Sequence, residues 1–126
     1  FYCSEIEKQA KKWAMTKSLT HPIVSVFQVE INGDLNIKKF DTMTDKWLEF
    51  IARCRAGETH SFDIVEGPMA DDTVWDYVND FIAGRISKEL FFEFAKFKYP
   101  THQITFCTER ALQCLKFERS FIANDQ

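Results

Sequence analysis

The sequence predicts an α+β protein with a mixed or split antiparallel β-sheet. The predicted elements run in the order strand, helix, hairpin, helix, strand, two helices, strand, helix and strand, without the regular alternation of a doubly wound sheet. Apolar residues make up 45% of the 126-residue chain, and 13 residues are Phe, which is enough apolar bulk for one buried core. We therefore expect one domain covering residues 1–126.

The N-terminal segment is predicted to be the end of a strand followed by a helix. Residues 1–3 have the character of a strand end, and because the chain starts with Phe we expect the sequence to begin inside its domain. Residues 5–18 carry apolar side chains at helical spacing. Ser4, with Glu7 three residues later, has the pattern of a capping box. The residues on the apolar face are Ile6, Ala10, Trp13 and Ala14.

A hairpin is predicted next. Residues 23–31 alternate strictly, as a strand does. Asn32-Gly33-Asp34 favours a turn, and residues 35–37 are expected to return as a short second strand. One side of the first strand carries Ile23, Ser25, Phe27, Val29 and Ile31, and the other carries Val24, Val26, Gln28 and Glu30.

A helix and a strand are predicted in the middle of the chain. Residues 44–56 are predicted to form a helix, and Gly57 is predicted to end it. Residues 62–66 form a short strand that Gly67-Pro68 ends, since Pro cannot continue a sheet ladder and Gly permits a sharp exit. The apolar stripe of the helix is Trp47, Leu48, Ile51 and Ala52.

Two further helices are predicted after this strand. The first covers residues 71–83 and ends at Gly84, and the second covers 88–98 with Ser87 as its cap. The first is expected to bury Val74, Trp75, Val78, Phe81 and Ile82, and the second carries Leu90, Phe91, Phe94 and Phe97.

The C-terminal part is predicted as strand, short helix and strand. The first strand covers residues 102–107, Thr108 caps the helix, and the last strand covers 117–122. The apolar residues of the helix are Ala111, Leu112 and Leu115.

The stretch "GPMADD", which ends with Asp71 and Asp72, has two interpretations. Either aspartate favours the positive end of the following helix and accepts its unpaired N–H groups. Alternatively, the carboxylates lie on the rim of a cleft. We assign Asp71 to capping and keep Asp72 as a candidate cleft residue.

Composition excludes several classes of function. The net charge is −3, from 16 basic and 19 acidic residues that are well mixed, so no nucleic-acid partner is expected. No apolar run approaches the ~18 residues of a membrane helix, and no signal peptide is recognisable. No CxxC pair is present, so no zinc site is expected. Three of the four cysteines lie beside apolar residues in the sequence, which favours buried thiols in a reducing cytoplasm. The cysteines are Cys3, Cys54, Cys107 and Cys114.

The strand "HQITFCT" separates apolar from polar residues. Such a strand is either an ordinary half-exposed one or the wall of a pocket. By parity, one face carries His102, Ile104 and Phe106, and the other carries Gln103, Thr105 and Cys107.

Other chemical motifs are weak. His21, His60 and His102 show no metal-ligand spacing, so we predict no metal. No Ser or Cys has an evident partner base, and four glycines form no phosphate-binding loop. The residues alone therefore predict a soluble, cytoplasmic α+β domain with one polar strand face.

The chain resembles an uncharacterised bacterial domain family that is grouped with the ADP-ribosyltransferase-like proteins. The similar pieces span nearly the whole sequence, and two of them, "GPMADD" and "THQITF", are fairly specific in this order and spacing. The pieces are "FYCSEIEKQAKKWA", "FDIVEGPMADD", "YVNDFIAGRIS" and "AKFKYPTHQITFCTERALQCLKF".

The resemblance implies a split, mostly antiparallel sheet with flanking helices that holds NAD in a cleft. In such enzymes one strand supplies a His beside a Gly for the adenosine ribose. A second supplies a Tyr that stacks on nicotinamide, and a third supplies a Glu for the nicotinamide ribose. Phe1 and Tyr2 match the second motif, and Gln103 matches the catalytic position of the third. Thr105 and Cys107 would line the same cleft, so Tyr2 and Gln103 are expected to open into one site.

Two features depart from these motifs. The His-containing motif is absent, as expected if an upstream strand is missing, and Gln103 is an amide in place of a carboxylate. An amide can bind a ribose hydroxyl, but it offers no negative charge to an oxocarbenium-like state. Losing such a group costs about 10²–10³ in rate.

Three functions stay open. The first is a NAD-dependent ADP-ribosyltransferase that modifies a macromolecule, for example as a bacterial toxin. The second is a degenerate member of that fold that binds a small protein partner, such as an antitoxin-like neighbour, without turnover. The third is a structural domain. In every case the chain as given is expected to turn over NAD poorly.

Overall fold

The computed structural model describes residues 1–31, 33–70, 72–95 and 101–123, without the side chain of Asp72. Five helices and six strands lie in these residues, in two mostly antiparallel sheets, which confirms the α+β class. The strands are β1 (Tyr2–Cys3), β2 (Ile23–Val29), β3 (Ile37–Lys39), β4 (Ile64–Gly67), β5 (Gln103–Phe106) and β6 (Leu115–Ile122). The helices are α1 (Glu7–Lys17), α2 (Asp45–Arg55), α3 (Asp72–Ile82), α4 (Lys88–Ala95) and α5 (Glu109–Leu112).

The chain divides into two compact units. The first consists of the described parts of 1–38, 62–66 and 102–126, and the second consists of those of 39–61 and 67–101. One sheet has the strand order β1-β5-β4-β3, and the other pairs β2 with β6.

The two-stranded sheet replaces the predicted hairpin, which is wrong. β2 pairs antiparallel with β6, from Ile23 opposite Ile122 to Val29 opposite Leu115, with a register shift after Val26. The segment expected to return at 35–37 instead forms β3, two residues later and in the other sheet. The physical reason is length, since β6 offers a partner to every residue of β2 and the three residues of β3 could not.

Helix α1 packs on the β2–β6 sheet through a small-residue face. Ala14 is buried against Val24 and Ala123. The expectation that Trp13 shares this buried face is wrong, because its side chain is 47% exposed. The Ser4 cap is also wrong: the helix starts at Glu7, and the Ser4 hydroxyl accepts the N–H of Ile6 at 3.1 Å, which forms a turn before the helix.

The second unit contains helices α2, α3 and α4 around a common core. Thr44 caps α2 by accepting the N–H of Trp47 at 3.2 Å, and the predicted stop at Gly57 is confirmed by its left-handed φ of 90°. The indole N–H of Trp47 donates to the carbonyl of Pro68 at 3.3 Å. The buried residues of this unit include Phe40, Trp47, Leu48, Val74, Val78, Phe91 and Ala95.

The predicted limits of α3 and α4 are largely confirmed. Gly84 ends α3 with a φ of 76°, and the Ser87 hydroxyl caps α4 by accepting the N–H of Leu90 at 3.1 Å. Ile82 was expected to be buried, but it is 46% exposed because it lies at the last turn of its helix. The predicted end of the second helix, at 96–98, lies outside the described residues.

Gly67 is the last residue of β4, so the strand ends at Gly67-Pro68 as predicted. It has a further role, since a Cβ built on it would lie 3.1 Å from Phe40 Cβ and 3.3 Å from the Phe40 carbonyl oxygen. Glycine is therefore needed here for close backbone packing. Asp71 and the side chain of Asp72, for which capping and cleft roles were predicted, lie outside the described residues.

The cysteines are less buried than expected. Cys114 is buried and Cys3 is partly buried, but Cys54 and Cys107 are exposed, and no disulfide joins any of the four. Within the part of the chain that the structure describes, no helix has both the length and the apolar character needed to cross a bilayer.

Candidate functional site

Strands β1 and β5 bring the predicted site residues together in the first unit. They pair antiparallel, with Tyr2 opposite Thr105 and Cys3 opposite Ile104. Phe1 and Phe106 exchange both backbone hydrogen bonds, at 2.9 and 3.4 Å. In an antiparallel ladder the next pair is the non-hydrogen-bonded one, in which facing side chains lie closer. The Tyr2 and Thr105 side chains therefore share one face of the sheet as near neighbours.

Gln103 lies on the same face of the sheet, two residues before Thr105. Its amide nitrogen donates to the Thr105 hydroxyl at 3.0 Å. Both side chains are partly buried, whereas Tyr2 is 71% exposed. The result is a polar face, named here the β1–β5 face, formed by Tyr2, Gln103 and Thr105. An exposed aromatic ring can stack on a flat heterocycle, and the amide and hydroxyl can bind hydroxyl groups.

Of two other residues predicted for the site, Phe1 is placed differently and Cys107 lies on the predicted side of the strand. Phe1 precedes Tyr2 and so projects to the opposite face, where its ring meets the ring of Phe27 edge-on at 5.5 Å. Cys107 follows β5 on the side of Thr105, and its thiol approaches the Thr105 carbonyl at 3.7 Å. Partial burial raises the pKa of Cys107, and the carboxylate of Asp63 adds to this rise while the N-terminal ammonium opposes it. A smaller fraction of this thiol is therefore in the thiolate form at neutral pH than for an unperturbed cysteine.

A polar cluster at the start of β5 was missed by sequence analysis. His102, 13% exposed, places Nε2 at 2.8 Å from a carboxylate oxygen of Glu66. The backbone N–H of Glu5 donates to His102 Nδ1 at 3.0 Å. The side-chain amide of Gln9 makes two bonds to the His102 main chain, at 2.7 and 2.9 Å. We name these four residues the His102 cluster.

The hydrogen bonds of this cluster determine the tautomer of His102. Nδ1 faces an N–H donor, so it must carry a lone pair, and the single proton of the neutral ring lies on Nε2 and is donated to Glu66. The oxygen of Glu5 lies 3.8 Å from Nε2, and Glu5, Glu66 and His102 together offer three atoms within 4.8 Å of one another. A metal on Nε2 would require a proton on Nδ1, which would then face the Glu5 N–H. Metal-binding histidines normally donate this second N–H to an acceptor, so the cluster fits a metal poorly.

A second polar cluster lies at the C-terminal end of β5. Asp63 is buried, and its carboxylate accepts from the Thr108 hydroxyl at 2.7 Å and from the Asn36 N–H at 2.8 Å. Arg110 donates to both carboxylate oxygens, at 3.1 and 2.8 Å. The Thr108 hydroxyl also accepts the N–H of Ala111 at 3.2 Å, which confirms the predicted cap of α5.

Charge pairing in this second cluster shifts the pKa values of both partners. The hydrogen bonds from Arg110, then from the Asn36 N–H and Thr108, hold the pKa of Asp63 well below its usual range. The same pairing raises the pKa of Arg110. Asp63 is therefore ionised throughout the neutral and mildly acidic range.

No sequence signal could have identified either cluster. Glu5 and His102 are 97 positions apart, and Asp63 and Arg110 are 47 apart. In the sequence, each of these residues taken alone has the pattern of an ordinary charged surface residue or turn residue. Only the pairing of β1, β4 and β5 brings them together.

Comparison with known proteins gives a family and no function. Neither the curated proteins nor the solved structures contain a match to this chain. A family model described as "Protein of unknown function (DUF3990)" matches residues 1–117. Because this match covers well over half of the sequence, the chain belongs to the DUF3990 family of proteins of unknown function.

Proposed function

We propose that this protein binds NAD on the β1–β5 face and is an ADP-ribosyltransferase-type protein that acts on a macromolecular target, as a bacterial toxin would. The observation that carries the proposal is the shared face of Tyr2, Gln103 and Thr105. The sequence resemblance assigned these residues to two separate motifs that touch one ligand. Their position on paired strands is what such a shared ligand requires.

The chemistry of the face fits the nicotinamide end of NAD. Nicotinamide is a flat heterocycle, for which the exposed Tyr2 ring is a stacking surface. A ribose offers hydroxyl groups, and the Gln103 amide, already oriented by its bond to Thr105, can both donate to and accept from a hydroxyl. Bound NAD would supply the ADP-ribosyl group, and these residues would hold and orient it.

A second candidate is a binding module without turnover, whose ligand is a small protein partner. The identity of Gln103 favours it. None of the side chains of the β1–β5 face is charged, so a developing positive charge would meet dipoles only. A missing electrostatic group of this kind costs about 10²–10³ in rate.

Direct NAD titration of the 126-residue chain tests the proposal. We expect Tyr2→Ala and Gln103→Ala to weaken NAD binding, measured by calorimetry or ligand-observed NMR, while both variants stay folded. Gln28→Ala is the matched control, since Gln28 is an exposed glutamine on β2. Equal NAD binding by all four proteins, or no binding by any of them, would contradict the proposal.

Turnover separates the two candidates. We expect little hydrolysis of NAD by the chain with Gln103 and a rise on the order of 10²-fold for Gln103→Glu. Rapid turnover by the original chain that Gln103→Ala abolishes would show that the amide suffices. NAD binding without turnover in any variant, together with tight binding of a protein partner, would favour the binding module.

A further inference from the structure

We infer that His102 is a positioning residue. In its neutral form it holds β1 against β5, in the register that gathers Tyr2, Gln103 and Thr105 on one face. The use of that register for NAD rests on the proposed function, whereas the clamp itself rests on the hydrogen bonds of the His102 cluster.

The His102 ring links three strands at one point. Glu5, whose N–H it accepts, lies two residues after Cys3, the last residue of β1. Glu66, to which it donates, lies in β4. His102 itself directly precedes Gln103, the first residue of β5. A displacement of the ring would therefore be transmitted to both strands that build the β1–β5 face.

The clamp compensates for the shortness of β1. This strand has only two residues and lies at the edge of its sheet, so its ladder alone offers few hydrogen bonds. The Glu5 N–H bond to Nδ1 and the paired bonds between Gln9 and the His102 main chain extend the connection past the end of β1. Gln9 lies on α1, so the helix that follows β1 is tied to β5 as well.

Only the neutral ring with its proton on Nε2 satisfies all of these partners. The groups that face the ring are the Glu5 N–H, the Glu5 carboxylate at 3.8 Å and the Glu66 carboxylate at 2.8 Å. A proton or a metal that displaced this tautomer would put two N–H donors face to face at Nδ1. The bond to Glu66 orients the ring, and the bond at Nδ1 holds β1.

Nitrogen-15 NMR of the histidine rings tests the clamp in the original chain, without NAD. We expect His102 to show the Nε2–H tautomer at neutral pH, with the Nδ1 resonance of an acceptor. A proton on Nδ1 would overturn the inference, because Glu5 could not then donate to it. The exposed His21 serves as the internal reference for an unconstrained ring.

Substitutions at position 102 distinguish the hydrogen bond between the Glu5 N–H and Nδ1 from the one between Nε2 and Glu66. Asn places an amide oxygen near the position of Nδ1, and Gln places an amide N–H near that of Nε2. We expect His102→Asn to keep the Glu5 amide protected from hydrogen exchange, and His102→Gln and His102→Ala to lose this protection. NAD affinity should stay close to that of the original chain in His102→Asn. In His102→Gln and His102→Ala it should fall, by roughly fivefold for the loss of one hydrogen bond. His21→Ala is the control.

The outcomes separate failure of the clamp from failure of the proposed function. If the original chain binds no NAD but the exchange pattern holds, the proposed function fails and the clamp stands. If folded His102→Gln keeps Glu5 protected, or binds NAD as tightly as the original chain, the clamp is wrong. Glu5→Ala is expected to keep the bond at Nδ1, which comes from the backbone, and to lose only the contact of the 74% exposed Glu5 carboxylate with Nε2 at 3.8 Å. Binding of Zn²⁺ by the original chain that Glu5→Ala abolishes would replace the clamp by a metal site.

Discussion

At the scale of single residues, the fold contains a few polar side chains that make several hydrogen bonds at once. Asp63 is the clearest case, since its two carboxylate oxygens accept four hydrogen bonds, two of them from one guanidinium. The ionised form is stabilised in the folded state only, because the donors come from Asn36 and from the segment with Thr108 and Arg110, both distant from Asp63 in the sequence. Asp63 therefore links folding to pH.

The sign of this linkage gives a first prediction. The pKa of Asp63 is lowered on folding, so its contribution to stability is fully present above the unfolded value of about 3.9 and is lost as the pH falls toward the folded value. We expect Asp63→Asn to be less stable than the original chain at pH 7. The difference between their free energies of unfolding should shrink below about pH 4. Urea titrations at several pH values measure this, and a difference that stays constant with pH would contradict the assignment.

Gly67 gives a second prediction at this scale. We expect Gly67→Ala to cost about 1–3 kcal/mol in the free energy of unfolding, as overpacking does. The close atoms are Phe40 Cβ and the Phe40 carbonyl oxygen. Phe40→Leu should therefore fail to rescue Gly67→Ala in a double-mutant cycle, since it changes only the ring. A rescue would mean that the ring is the clashing group.

At the scale of elements, local capping chemistry explains where α2, α4 and α5 begin. Thr44, Ser87 and Thr108 each accept a backbone N–H three residues later, as N-caps do. Ser4 has the same residue type and spacing signals, but its hydroxyl accepts the N–H of Ile6, two residues away. The difference follows from the path of β1 and the tie of Glu5 to His102, which determine the backbone that precedes α1.

Thr44 and Ser4 give a matched pair of variants. Thr44→Ala removes a true N-cap and should cost about 1 kcal/mol in the free energy of unfolding. Thr44→Ser keeps the hydroxyl and should be nearly neutral. Ser4→Ala removes only a turn hydrogen bond outside the helix, so we expect a smaller loss than for Thr44→Ala. Chemical denaturation measures all three, and equal losses would restore Ser4 as a cap.

At the scale of the whole molecule, the four cysteines report on burial across the fold. Cys54 and Cys107 are exposed, Cys3 is partly buried and Cys114 is buried. Burial also raises the pKa of Cys3, which lowers its fraction of reactive thiolate. Thiol reactivity in the folded state should therefore differ among the four positions.

Thiol titration tests this distribution and the predicted compartment together. In the folded protein we expect two fast-reacting thiols, with Cys54 ahead of Cys107 because the pKa of Cys107 is raised. Under denaturing, non-reducing conditions the count should be four. A count of two or none on material from its native source would exclude a reducing cytoplasm.

The sequence by itself determined the elements of this protein. Periodicity located the helices and most strands, and the stops at Gly57 and Gly84 followed from the left-handed backbone that ends a helix. These features depend on interactions within about four residues, which a sequence displays directly. Periodicity misplaced β3 by two residues, and it assigned Leu115 to the short helix, although this residue begins β6. Parity along β5 also placed Gln103 and Thr105 on one face before any pairing was known.

Which strands pair, and which distant side chains form hydrogen bonds, was decided by the tertiary structure alone. The sequence favoured a hairpin for residues 23–31, whereas the longer β6 pairs with every residue of β2. His102 had no signal of its own, yet it accepts from Glu5 and donates to Glu66. Hydrogen bonds between distant segments form wherever the pairing of strands brings donor and acceptor together, and no short-range pattern encodes that choice. For this reason the strand face could be predicted from the sequence, and the clamp that holds it could not.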